Sequence, residues 1–160
     1  MSIKKHYYKA TIKRTGNKGQ GTYNYKAYER EHIISIENKP DLIGSSDVSF
    51  RGNKNQHNPE ELLVSSLSSC HMLWYLHLCS EAGVVVFEYI DNPIGIMTET
   101  SDGGGHFTEV TLYPSVTVQN SEMIDKAKEL HKTANEFCFI ANSVNFPVYH
   151  NPIIKVLKNL

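Results

Sequence analysis

The longest apolar stretch of the chain runs from Leu62 to Leu78. Leu62, Leu63, Leu67, Met72, Leu73, Trp74, Leu76 and Leu78 fall on nearly every face of a helix drawn through it. A helix that is apolar all round is normally enclosed, so this segment is expected to be a long, buried central helix. Its ends are written in the sequence. Asn58 can cap, Pro59 suits the first helical position, and Glu61 stands three residues after the cap, where it can reach back to the Asn58 amide. Gly83 is placed to end the helix in a left-handed conformation. Ser65, Ser66, Ser68 and Ser69 leave one face thin enough for a second helix to approach.

The pattern on either side is mostly β. Residues 5–14 are rich in Tyr, Thr and Ile and read as a strand. Thr15 to Gly21 carries three glycines and reads as a turn. Residues 22–28 place Tyr23, Tyr25 and Ala27 on one face as a second strand, and residues 32–37 read as a third. Gly44 to His57 is a polar loop enclosing the short segment Val48 to Arg51, and a loop of this length is often functional. After the helix, residues 84–90 form a β-type run. Residues 94–100 and 106–118 suggest a hairpin around Ser101 to Gly105, with Pro114 marking an edge or a bulge. Met123, Ala127, Leu130, Ala134 and Phe137 recur at helical spacing through residues 121–137. Residues 147–157 read as a final strand. The order predicts one α+β domain over residues 1–160, with sheets wrapped around the buried helix and no internal repeat.

Composition removes several partners. A chain of 160 residues with net charge −1 offers no electrostatic reason to bind nucleic acid or an anionic membrane. The polar start does not read as a signal peptide, and no apolar run approaches the roughly 20 residues that span a bilayer. Three cysteines without a secretion signal suggest reduced thiols in a cytoplasm.

The candidate chemistry lies on the central helix. Cys70 sits mid-helix, where a cysteine is usually an inert small hydrophobe. However, Glu60, Glu61 and an arginine-bearing loop lead into the same helix, and a second thiol, Cys138, follows the end of the second helix. Cys79 lies about 13 Å along the axis from Cys70, beyond disulfide reach, and reads as core. The eight histidines show no metal-binding spacing, so no metal and no cofactor is expected. A thiolate needs a compensating cation, and the only arginines are Arg14, Arg30 and Arg51. Arg51, a short loop before the helix, is the candidate, with Arg14 and Arg30 left open.

Asn58-Pro59-Glu60-Glu61-Leu62-Leu63, then Ser69-Cys70, then Cys138 with Asn142-Ser143 close behind, resembles the osmotically inducible and organic-hydroperoxide-resistance (OsmC/Ohr) family. The resemblance follows nearly the whole chain in element order. It implies an OsmC-like fold with antiparallel sheets around the central helix, an intertwined homodimer with sites at its interface, and thiol-dependent reduction of organic hydroperoxides. By the same resemblance Cys70 takes the peroxidatic role, Cys138 the resolving role, and Glu60 is the carboxylate that holds the arginine. The reductant it implies is a dithiol such as dihydrolipoamide. An apolar lining from Phe50, Met72, Trp74, Phe137 and Phe139 would favour alkyl or fatty-acid hydroperoxides. Glu60 and Cys70 are separated by about 15 Å of straight helix. Either the helix breaks near the serines, or the two groups meet across a dimer. Two other functions fit the same residues: a non-enzymatic binder of lipid-like ligands, and a redox sensor. A pure binder would need neither Cys70 nor Cys138.

Overall fold

Asn58 and Glu61 cap one another. In the computed structural model, which describes residues 4–158, the Glu61 amide donates to Asn58 Oδ1 at 2.8 Å and the Asn58 amide donates to Glu61 Oε2 at 3.3 Å. This satisfies amides that a helix start otherwise leaves orphaned. Helix α1 (Pro59–Glu81) then runs for 23 residues. Gly83, at φ 70°, turns the chain out of it, and the Val84 amide closes the end on the Cys79 carbonyl at 2.8 Å. Ser66 and Ser69 donate to the carbonyls of Leu63 and Ser65, both at 2.8 Å, so their hydroxyls are satisfied within the helix. There is no break at the serines.

The fold divides between Leu62 and Leu63 into two compact units. The first holds an antiparallel sheet of β1 (Thr11–Arg14), β2 (His32–Ser35) and β3 (Leu42–Gly44), in that order. Thr11 faces Ser35, and Ile33 faces Ile43. The strand expected at residues 22–28 does not form; that stretch is a series of turns with one isolated bridge, Asn17 to Tyr28. Tyr25 and Tyr28 stack on cations instead. The Arg30 guanidinium lies 4.1 Å from the Tyr25 ring centroid and 4.3 Å from that of Tyr28, and Arg14 lies 5.0 Å from Tyr28. The strand at Leu42–Gly44 was not expected. Val48–Phe50 is a single 3-10 turn, capped by the Asp47 carboxylate on the Ser49 amide at 2.7 Å.

The second unit contains the rest of α1, then β4 (Val86–Ile90), β5 (Ile94–Glu99), β6 (Gly105–Leu112), β7 (Ser115–Val118), α2 (Ile124–Phe137), β8 (Val148–His150) and β9 (Ile153–Val156). Two sheets result, β4-β7-β9 and β5-β6-β8. The long second hairpin arm and the single final strand are both corrected here, and for one reason. β6 pairs with β8, and β7 pairs with β9, in each case parallel. The chain breaks at Pro114 between β6 and β7 and at Pro152 between β8 and β9. Proline has no amide to give a ladder. At these breaks the Asn151 amide donates to the Leu112 carbonyl at 2.9 Å and the Ile153 amide to the Pro114 carbonyl at 2.8 Å. One ribbon is thereby handed from one sheet to the other, and the sheets are mixed rather than antiparallel. On β5, a Cβ on Gly95 would stand 2.7 Å from both Val64 and Phe107, so glycine is what lets α1 lie this close.

Two further expectations change. Helix α1 is not enclosed on all sides in this chain. Its buried residues are Leu67, His71, Tyr75 and Cys79, a single stripe at intervals of four, while Leu73 is 64 % exposed. The stripe meets Val110 and Leu112 of β6, Val116 and Val118 of β7, and Ala127, Leu130 and Ala134 of α2, which cover one side only. Contrary to the reading that no stretch approaches a bilayer span, α1 is long and apolar enough to cross a membrane by length and composition. Its inner face carries two polar rings, His71 and Tyr75, buried against protein.

Candidate functional site

Cys70 and Cys138 are brought together. Cys70 is half-buried on α1, and Cys138 is buried where α2 ends. Cys70 is near enough to Cys138 to perturb its thiol, and all three cysteines are free thiols. The Cys138 backbone leaves the helix at φ −65°, ψ 110°, and the following turn folds over the sulfur, with the Ala141 amide donating to Cys138 Sγ at 3.4 Å. Burial, and then the adjacent Cys70 thiol, push the Cys138 thiol above its ordinary value. Cys79 is core, as expected. It is 1 % exposed, and burial raises its thiol.

Aromatic rings flank the thiols. Trp74, one turn beyond Cys70, stacks on Phe137 at 5.3 Å and meets Phe139 edge-on at 5.6 Å. Phe137 and Phe139, on either side of Cys138, are 51 % and 69 % exposed. The result is an accessible apolar surface beside a sulfur pair. Along the serine face of α1 an open cleft of about 280 Å³ is lined by Ser65, Ser69, Met72 and Tyr89 among others.

The remaining expected residues lie in the first unit. Glu60 is in the first turn of α1, with Oε2 buried and without a hydrogen-bond partner among the described residues. Arg51 follows the 3-10 turn in a left-handed conformation, φ 66°. Arg30 donates to the carbonyls of Tyr28 and Tyr25, and Arg14 to that of Gly21. Among the described residues, Arg51 is the arginine whose guanidinium makes neither a hydrogen bond nor an ion pair. Phe50, expected in the apolar lining, also lies in this unit. No arginine occurs in residues 63–160.

Sequence reasoning missed three histidines. His71, His131 and His150 gather inside the second unit, with His71 Nε2 2.9 Å from His131 Nδ1. Tyr75 stacks on His131 at 3.8 Å, and the His150 ring lies 5.6 Å from His71 and 6.1 Å from His131. Burial holds His71 at about 4 and His131 at about 3, each further lowered by neighbouring imidazoles, and burial lowers His150. One signal was available: His71 falls four residues after Leu67 and four before Tyr75, on the stripe that became the core. Among the described residues no cluster of His, Cys, Asp or Glu is arranged to hold a metal ion.

Comparison with known proteins gives the family and the fold. The family model described as OsmC-like protein matches residues 52–151. No curated protein matches the chain. An OsmC-like protein of unknown function from Vibrio cholerae has 28 % identity and a TM-score of 0.82, covering 93 % of this chain and 100 % of its own. An organic hydroperoxide resistance protein from Elizabethkingia anophelis has 17 % identity and a TM-score of 0.69, covering 98 % of this chain and 100 % of its own. Another, from Bacillus subtilis, has 19 % identity and a TM-score of 0.61, covering 94 % and 98 %. At the last two identities the likeness is one of fold.

Proposed function

We propose, given that this chain belongs to the OsmC-like protein family, that it is a thiol-dependent peroxidase acting on organic hydroperoxides. The observation that carries this reading is the nearness of the Cys70 and Cys138 thiols at the junction of two helices. A half-buried thiol with a second thiol nearby and an exposed aromatic surface alongside has what two-step peroxide reduction needs. The names of two structural neighbours, organic hydroperoxide resistance proteins, point the same way.

The Cys70 thiolate attacks the distal oxygen of the hydroperoxide. The O–O bond breaks, the alcohol leaves with a proton, and Cys70 becomes a sulfenic acid. The Cys138 sulfur then attacks Cys70, the sulfenic hydroxyl leaves with the Cys138 proton as water, and a disulfide remains. A dithiol of the dihydrolipoamide type reduces it by exchange, which suits a reducing cytoplasm. Trp74, Phe137 and Phe139 favour an alkyl or fatty-acid chain over hydrogen peroxide itself.

The cation is assigned to Arg51, and Glu60 is its holder. Glu60 Oε2 is buried and unpartnered, which is costly unless a cation or donor reaches it. Because α1 is unbroken, about 15 Å of helix separates Glu60 from Cys70. The assembly that reconciles them is a homodimer in which each site combines Cys70 of one copy with Glu60 and the arginine of the other. Exposed apolar residues in both units, among them Tyr8 at 90 %, Tyr23 at 84 % and Leu73 at 64 %, support burial against a second copy.

Peptide mapping after one equivalent of tert-butyl hydroperoxide tests the reading. The expected product is an intrachain Cys70–Cys138 disulfide with Cys79 still reduced. A Cys70–Cys79 bridge, or no oxidation of Cys70, would reject it. Arg51→Ala is expected to slow the first oxidation of Cys70 by about 10- to 100-fold at neutral pH, since it removes the charge that stabilises the attacking sulfur and a donor to the peroxide. Arg14→Ala and Arg30→Ala should change it far less. Stopped-flow oxidation of the three variants ranks them, and a crippling Arg30→Ala beside a mild Arg51→Ala would move the cation to Arg30.

A further inference from the structure

His71 and His131 stand on the two helices that carry the reactive thiols. His71 is the residue after Cys70 on α1. His131 lies on α2 seven residues, or two turns, before Cys138 and therefore on much the same side of that helix. Their ring nitrogens meet at 2.9 Å, the rings are within 4° of parallel, and the residues are 1 % and 0 % exposed. We infer that this hydrogen bond is a positioning device that holds α2 in the register at which the Cys138 sulfur meets Cys70. The inference rests on the peroxidase reading and concerns its second step, in which Cys138 displaces water from the Cys70 sulfenic acid.

The other links between the helices are less specific. Trp74 on Phe137 and Tyr75 on His131 are stacked faces, which tolerate sliding. A hydrogen bond weakens steeply with distance and angle, and in a buried site no water replaces it. For two neutral imidazoles, one nitrogen at the contact must carry a proton and the other must not. The pair is thus satisfied in only a narrow range of helix register. The titratable groups facing it are Tyr75 from α1, Tyr89 from β4 and His150 from β8, and among the described residues no carboxylate, lysine or arginine perturbs either ring. This surrounding keeps both rings neutral.

The contact uses Nε2 of one ring and Nδ1 of the other, which gives a test that ordinary packing would not pass. A glutamine amide reaches where Nε2 stands, and an asparagine amide reaches where Nδ1 stands. His71→Gln and His131→Asn therefore keep the contact, whereas His71→Asn and His131→Gln keep a polar group but misplace it. Each variant is mixed with tert-butyl hydroperoxide, acid-quenched at intervals, and its sulfenic acid and Cys70–Cys138 disulfide are quantified by mass spectrometry. Oxidation of Cys70 should stay within about twofold of wild type in all four, while disulfide formation slows by about tenfold or more in the misplaced pair and stays within about threefold in the contact-keeping pair. A purely structural role would not produce this crossed pattern. Equal disulfide rates in all four variants, or equal slowing of both steps, would overturn the inference alone. A wild-type protein that forms no Cys70–Cys138 disulfide would overturn the peroxidase reading and the inference with it.

Discussion

Cys70→Ser is expected to abolish dihydrolipoamide-driven turnover of an alkyl hydroperoxide, a loss of about a thousandfold or more, because a serine hydroxyl supplies almost no nucleophilic anion at neutral pH. Cys138→Ser should differ in kind. Its Cys70 still reacts with one equivalent of peroxide and stops at the sulfenic acid, trappable by a dimedone-type reagent. Cys70→Ser also tests the shared site. If each site draws Cys70 from one copy and Glu60 from the other, mixing Cys70→Ser with Glu60→Ala subunits leaves one site of the heterodimer wholly wild type. That heterodimer regains about half the wild-type activity, whereas either parent alone has almost none. A confirmed heterodimer without recovery would mean that each chain carries its own complete site. Full turnover by Cys70→Ser itself would remove the thiol mechanism altogether.

The second large effect is on stability in acid. His71 and His131 are neutral in the fold, held at about 4 and about 3 against an ordinary 6.5. Both folded values are depressed, so the unfolded chain takes up protons that the folded chain refuses. Stability is complete above the unfolded value of 6.5 and falls as pH drops from there toward the folded values. At pH 4.5, two units below 6.5, each histidine costs a few kcal/mol, so the pair costs roughly 5 kcal/mol. That is comparable with the whole stability of many domains, about 5–15 kcal/mol. Urea midpoints at pH 7.0 and 4.5 measure it. The wild type should lose several kcal/mol more across that interval than a His71→Gln, His131→Asn double variant, whose amides do not titrate. Carboxylate effects are common to both proteins and drop out of the comparison. Parallel losses in the two proteins would show that other groups govern acid sensitivity.

Local chemistry determined the parts of this protein that a sequence can carry. The reciprocal cap of Asn58 and Glu61, the left-handed Gly83 and the helical spacing from Ala127 to Phe137 depend on residues within a turn or two of one another, and each formed where its residues placed it. The same holds for the exclusion of Cys79, which needs only the helix rise. The pairing of Cys70 with Cys138 came from a family resemblance; that α2 ends beside Cys70 is a matter of tertiary structure. Tertiary packing decided the rest. Tyr23, Tyr25 and Tyr28 have strand propensity, but that stretch is folded into turns, with Tyr25 and Tyr28 stacked on Arg14 and Arg30. Pro114 was legible as a disturbance, but its effect required Pro152, far along the chain, because parallel neighbours share no local signal. The apolar ring around α1 does not reveal which stripe this chain will cover. His71 and His131 are 60 residues apart, and no spacing rule links them. Only once the sheets had set α2 against α1 did two ordinary histidines become a buried pair, because the cost of an unpartnered polar ring exists only where water has been excluded.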